Sequence, residues 1–233
     1  MRLRRSVLLL LTLCGLGAVQ AQEALRPAVR TELWTAAVVQ GRLPKFMKDV
    51  LGKSYKRVRM RNELGYRSAD VFFAGRQTYL DVNLRYKLSS LVDVAYEHRF
   101  AIRPDQAGLQ HRSIWQAEVG KSFGRWEPGY RFIYQHSYVE WGKQREVFRN
   151  RFQVGYKFKN WKLDPQLGVE FFTWASNKGM SYFGTRWSLG TAYNIGKAHS
   201  IGLTLLNDRE RDIAWPTRRW IWSFTYALNL RDL

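Results

Sequence analysis

The stretch RVRMRNELGYR, residues 57–67, sets Arg57, Arg59, Arg61, Glu63, Gly65 and Arg67 on one face of an extended chain and Val58, Met60, Asn62, Leu64 and Tyr66 on the other. Successive side chains of a strand point to opposite sides, so this alternation describes a strand with one charged and one apolar face. Four arginines on a single face need water or paired acids, and the opposite face needs something oily to lie against.

The same pattern recurs along the chain. From residue 57 onward ten segments alternate with period two, separated by turn-forming residues. In TYLDVNLRYKLS (78–89) the apolar set is Leu80, Val82, Leu84, Tyr86 and Leu88, against Asp81, Asn83, Arg85 and Lys87. In RWIWSFTYALNL (219–230) Trp220, Trp222, Phe224, Tyr226 and Leu228 oppose Ile221, Ser223, Thr225 and Asn229. A soluble sandwich also alternates, but its strands run about five or six residues, whereas a bilayer needs about nine to eleven residues of tilted strand. These segments have the longer length. Aromatic residues make up 15% of the chain and gather at or near segment ends, as in Tyr130, Tyr138, Trp141, Phe148, Phe158, Trp161, Trp187, Tyr193, Trp220 and Trp222, where the aromatic girdles of an outer-membrane barrel sit. The fold class read from this is all-β, a transmembrane antiparallel up-and-down β-barrel of about ten strands, with twelve left open by TELWTAAVVQGRL (31–43), which reads as an additional strand or a periplasmic helix.

Residues 1–21 stand apart as a secretory signal peptide: three arginines by residue 5, an apolar run too short for the roughly 20 residues of a membrane span, and small Ala21 before the cut. The division that follows is signal peptide 1–21, N-terminal periplasmic segment or extra strand 22–56, and outer-membrane barrel 57–233. The one cysteine, Cys14, lies in the signal segment, which leaves no disulfide, thiol nucleophile or thiolate metal site after cleavage. Subtracting the signal arginines from 38 basic residues leaves 35 against 19 acids, a formal charge of +16. Nucleic acid is not the partner, because the arginines are dispersed and no recognition motif is present.

Between segments the connections read as alternately long and short. SADVFFAGRQ, RPDQAGLQH and DRERDIAWPTRR are long and LSSL, GRWEPG, KNWKL and IGKAHS short, the order expected of an even strand count with both chain ends in the periplasm. The long loops read as exposed, polar and extracellular: solvated connectors first, with contact to surface glycans or a partner as the alternative.

RNELGYRS (61–68), YEHRF (96–100), QHRSIWQ (110–116), FRNRFQVGYKF (148–158), DPQLGVEFF (164–172) and TRWSLGTAYNIG (185–196) together resemble the domain of unknown function 2490 family, outer-membrane β-barrels mostly from Gram-negative bacteria of the Bacteroidota type. The resemblance spans residues 57–230 and implies a fold and a location, with outer-membrane lipid and the barrel-insertion machinery as partners, and no activity. The C-terminal NLRDL departs from outer-membrane habit in lacking a terminal aromatic.

A barrel of about ten strands has a narrow lumen that inward side chains largely fill. Alternation places Arg59, Arg61, Glu63, Arg85, Glu97, Arg99, Arg112, Glu118, Arg131, Arg149, Arg151, Glu170 and Arg186 on that lining. Two roles follow: a salt-bridge lattice that fills the lumen of a non-enzymatic barrel, or a narrow anion-selective porin or binding cup, since rings of Arg select anions. A third reading is an acyl hydrolase acting on lipid A, resting on His111 and Ser113, whose His-x-Ser spacing resembles that of lipid A deacylases. It lacks an orienting acid, because Glu127 falls in a turn at the other end of the strands, and QHS (135–137) puts its histidine and serine on opposite faces. His98 and His199 read as isolated, so no catalytic residue, metal site or cofactor is expected.

Overall fold

Residues 75–87 show how the alternation is realised: Gln77, Tyr79, Asp81 and Asn83 are buried while Thr78, Leu80, Val82 and Leu84 are exposed. The polar set is inside and the apolar set outside. This inversion extends around the molecule, which leaves a belt of exposed Leu, Val, Phe and Trp side chains that includes Leu64, Trp115, Phe152, Leu189 and Phe224.

The computed structural model describes residues 27–70, 72–138, 145–159, 161–211 and 215–230. The signal segment and Trp141 lie outside the described residues. Among the described residues there are eleven strands: β1 (Ala28–Gly41), β2 (Val58–Ser68), β3 (Gly75–Lys87), β4 (Val92–Arg103), β5 (Gln106–Gly120), β6 (Trp126–Ser137), β7 (Glu146–Tyr156), β8 (Gln166–Ser176), β9 (Gly179–Ile195), β10 (His199–Glu210) and β11 (Thr217–Asn229). They close into one barrel in which β2 to β11 follow each other as antiparallel neighbours. The ten alternating segments are β2 to β11, and TELWTAAVVQGRL supplies β1, so the barrel wall begins at Ala28 and not at residue 57.

The eleventh strand changes how the barrel closes. β1 pairs antiparallel with β2 and parallel with β11, in register from Ala28 opposite Thr217 to Gln40 opposite Asn229. An up-and-down meander with an odd strand count must close through a parallel pair, since its first and last strands run the same way. The expectation of an even count with both chain ends at one rim is therefore corrected. The chain enters at the rim where β1 starts, here the upper rim, and leaves at the lower one.

The expected alternation of long and short connections does not hold either. RPDQAGLQH, expected to be long, is a tight turn at residues 104–105 with β5 starting at Gln106, and ASNKGM (175–180), of intermediate length in the sequence, is a tight turn at 177–178. Their polar residues extend the ladder beyond the apolar belt, because backbone pairing needs no apolar side chain. At the lower rim the β1–β2 connection carries a short helix, α1 (Met47–Leu51), and a 3₁₀ turn (Gly52–Arg57), with the Tyr55 hydroxyl donating to the Leu43 carbonyl at 2.7 Å.

One glycine is dictated by packing. Gly65 sits opposite Tyr79, and a Cβ there would lie 2.2 Å from the Tyr79 ring. With only hydrogen at that position, the phenol lies across β2 and donates to Glu63 Oε1 at 2.7 Å.

Candidate functional site: a basic cavity in an ion-paired lumen

The inward charges form chains that cross from strand to strand. On one wall Glu32 of β1 meets Arg219 of β11 at 3.8 Å, Arg219 meets Asp208 of β10 at 3.0 Å, Asp208 meets Arg186 of β9 at 2.5 Å, Arg186 meets Glu170 of β8 at 3.7 Å, and Glu170 meets Arg149 of β7 at 2.8 Å. Six neighbouring strands are linked by alternating sign. Arg76 joins the chain from above, with both guanidinium ends 2.8 Å from the two Glu32 oxygens. The register shift at Arg67/Ser68 releases Arg76 from strict alternation and lets it turn inward.

A second chain lies toward the lower rim on the opposite wall, where Glu118 holds Arg131 at 3.3 Å and Arg85 at 3.0 Å, and Arg85 reaches Asp93 at 3.6 Å. Arg99 and Asp81 form a two-pronged pair, Nε to Oδ1 at 2.6 Å and Nη2 to Oδ2 at 2.5 Å. Planar guanidinium and carboxylate groups match in this fork, and burial strengthens it. Arg61 holds Glu63 at 2.7 Å.

Other cations have no such partner. Among the described residues no carboxylate oxygen lies within 4.0 Å of Arg67, Arg112 or Arg151. Arg67 lies over the rings of Trp34, at 4.0 Å, and Tyr79, at 4.9 Å, and Arg112 donates to Gln135 Oε1 at 3.2 Å. The Nε atoms of Arg67 and Arg112 are buried without a hydrogen-bond partner among the described residues. Glu97, conversely, accepts from the amides of Asn83 and Gln116 at 3.2 Å each and forms no ion pair among the described residues. Arg59 stands at the lower mouth, bonded to the carbonyls of Lys56 and Val58 at 2.9 and 3.0 Å.

These groups surround a cavity of about 610 Å³ in the lumen, lined by ten arginines but only four carboxylates, Glu63, Asp81, Glu97 and Glu210. Of the sequence-assigned lining residues, Arg61, Glu63, Arg85, Glu97, Arg99, Arg112, Arg131, Arg149 and Arg186 face this cavity. Arg151 and Glu170 face a smaller one of about 220 Å³, and Arg59 one of about 350 Å³ at the lower mouth. Glu118 lies between Arg85 and Arg131. Glu32, Trp34, Asp208 and Arg219 escaped the sequence reading. Arg219 shares the period-two face of Ile221 and Ser223 and was legible there, whereas Glu32 and Trp34 sit in the segment left open between strand and helix.

On the outer face the histidines are not isolated. His98 Nδ1 lies 3.1 Å from Ser113 Oγ, and its Nε2 lies 3.3 Å from His111 Nδ1. His136 Nδ1 lies 2.5 Å from Glu146 Oε1, so an acid stands at the upper rim where Glu127 could not. His98, Ser113, His136 and Glu146 are successive cross-strand partners on β4 to β7. The isolation read from the sequence is corrected by register, which places residues far apart in the chain side by side.

An inside-out closed barrel with an ion-paired interior and a basic cavity defines a class of β-barrel proteins with a charge-lined lumen. The chain belongs to the family described as Protein of unknown function (DUF2490), whose model matches residues 31–217, from within β1 to the first residue of β11. No curated protein matches the chain.

Proposed function

We propose that the chain is an outer-membrane β-barrel whose Arg–carboxylate lattice fills most of the lumen and frames a cup that receives an anion. The apolar belt supports the membrane placement, since a soluble protein rarely exposes so much contiguous apolar surface. The observation that carries the anion is the imbalance around the 610 Å³ cavity, ten arginines to four carboxylates, with Arg67 and Arg112 in no ion pair among the described residues. A buried cation without a counter-charge is costly, and a bound anion relieves that cost.

The lattice gives the cup its walls. Arg99 and Arg186 are held by carboxylates on neighbouring strands, whereas Arg67 and Arg112 are held by ring faces and an amide, contacts that leave guanidinium N–H groups free to donate. The test is single-channel current of the refolded chain in planar bilayers under a salt gradient, paired with thermal unfolding in sulfate against chloride at equal ionic strength. Unfolding temperature should rise in sulfate, and the rise should vanish in Arg67→Gln/Arg112→Gln. A steady anion-selective current would show that the cup opens through the barrel. No current and no sulfate effect would reduce the lattice to filler.

A further inference from the structure

The outer face of β4 to β7 carries a polar cluster where a membrane barrel ordinarily presents apolar side chains to lipid. Tyr96, His98, His111, Ser113, Tyr134, His136 and Tyr138 belong to the outward set of their strands and their immediate continuation, since Arg99, Arg112 and Gln135 between them face inward. Polar groups on such a face are costly unless they bond to each other or act. Ser113 Oγ lies 3.1 Å from His98 Nδ1, 3.2 Å from the Tyr96 hydroxyl and 3.2 Å from the Tyr138 hydroxyl. With its proton on Nε2, His98 donates to His111 Nδ1 at 3.3 Å and leaves Nδ1 to accept from Ser113.

An apolar groove of about 390 Å³ begins at this cluster and runs along the outer face, lined by Leu84, Val94, Tyr96, Trp115, Phe132 and Tyr134. Tyr96 belongs to both, its ring in the groove and its hydroxyl on Ser113. A serine bonded to an imidazole, at the head of an apolar trough on a lipid-facing wall, has the parts of an ester hydrolase for acyl lipids. We propose that this outer-face site hydrolyses a long-chain acyl ester of a membrane lipid, with Ser113 as nucleophile, His98 as general base and the acyl chain lying in the groove. The assignment rests on the membrane placement proposed above and is independent of the lumen.

The reaction balances as follows. Ser113 Oγ bonds to the ester carbonyl carbon as its proton passes to His98 Nδ1, and the Tyr96 hydroxyl donates to the oxyanion. The adduct breaks its C–O bond to the lipid alcohol, which takes the proton from His98 and leaves an acyl-serine. Water then adds to the acyl carbon, His98 takes its proton, and Ser113 Oγ departs with that proton to release the fatty acid. Ser113 is only 5% exposed because Tyr96 and Tyr138 cover it. Tyr138, 55% exposed and just beyond the end of β6, is the group that swings aside to admit the ester. Glu146 and His136 act as a positioning pair: the His136 ring, fixed by the carboxylate, packs edge-on against Tyr138 at 4.6 Å.

The test uses the full chain refolded in detergent, with folding read by heat-modifiable migration and membrane insertion by flotation with vesicles. A fluorophosphonate probe should label one serine, identified as Ser113 by peptide mass. Ser113→Ala should abolish labelling and hydrolysis of p-nitrophenyl palmitate, and His98→Gln should slow both by about 10²–10⁴-fold. His199→Gln, across the barrel and bonded to Tyr226, should change neither. Fatty acid released from phosphatidylcholine vesicles or from lipid A vesicles identifies which lipid supplies the ester. Folded chain that neither labels nor hydrolyses overturns the proposal, and labelling undiminished in His98→Gln overturns His98 as the base. Micelle activity without flotation would retain the hydrolase and overturn the membrane placement instead.

Discussion

The inner and outer faces of β4 to β7 carry two polar networks within one residue of each other. Arg99 and Arg112 point inward beside His98 and Ser113, which point outward. The inner network is built from full charges and is held by carboxylates, amides and ring faces. The outer one is built mainly from hydroxyls and imidazoles, with Glu146 as its carboxylate, bonded to both Tyr134 and His136. In the membrane placement proposed above, the difference follows from what each face meets. A lumen can hold water and counter-charges, so arginine is tolerated there, whereas a face against lipid tolerates only polar groups that satisfy one another.

The largest effect should come from breaking a paired inner charge. Arg186→Met takes from buried Glu170 and Asp208 one of the two cations that each holds, leaving only Arg149 and Arg219, and should cost about 3–5 kcal/mol in urea unfolding followed by heat-modifiable migration. Next is a charge placed on the wrong face. Leu80→Arg, on the outward side of β3, should cost about 2–4 kcal/mol for refolding into vesicles. Gln116→Arg, inward on β5 beside Glu97, should change the same measurement by less than about 1 kcal/mol because that carboxylate forms no ion pair among the described residues. Equal costs for these two would dissolve the distinction between the faces.

A smaller effect tests packing within the inner face. Gly65→Ala drives a Cβ into the Tyr79 ring and should cost about 1–3 kcal/mol, most of it recovered by adding Tyr79→Leu, which a double-mutant cycle measures. The smallest belongs to the unpaired cation. Arg112→Met should shift stability by less than about 1 kcal/mol in either direction, because no carboxylate is orphaned, and should weaken the response to sulfate. A loss as large as that of Arg186→Met would mean that Arg112 is a structural member of the lattice and not a free face of the cup.

Much of the barrel is legible in RVRMRNELGYR and its nine counterparts, since a strict period of two assigns each side chain to one face whatever its neighbours are. That reasoning reaches Arg61, Arg99 and Arg186 on the lining. It does not reach β1, because TELWTAAVVQG carries few charges and its alternation is weak, and it overstates the loops, because polar residues such as those of RPDQAGLQ extend a ladder as readily as they leave it.

The sequence by itself determined the alternation, the excess of inward basic residues and the apolar belt, all consequences of side-chain period within single strands. Only the tertiary structure decided the parallel closure of β1 on β11, which arginines acquire carboxylates and which face the cavity without one, and the meeting of His98 with Ser113 and of His136 with Glu146. Those depend on register between strands. A shift of two residues would keep every side chain on its face and change every partner, so no reading of one strand at a time contains them.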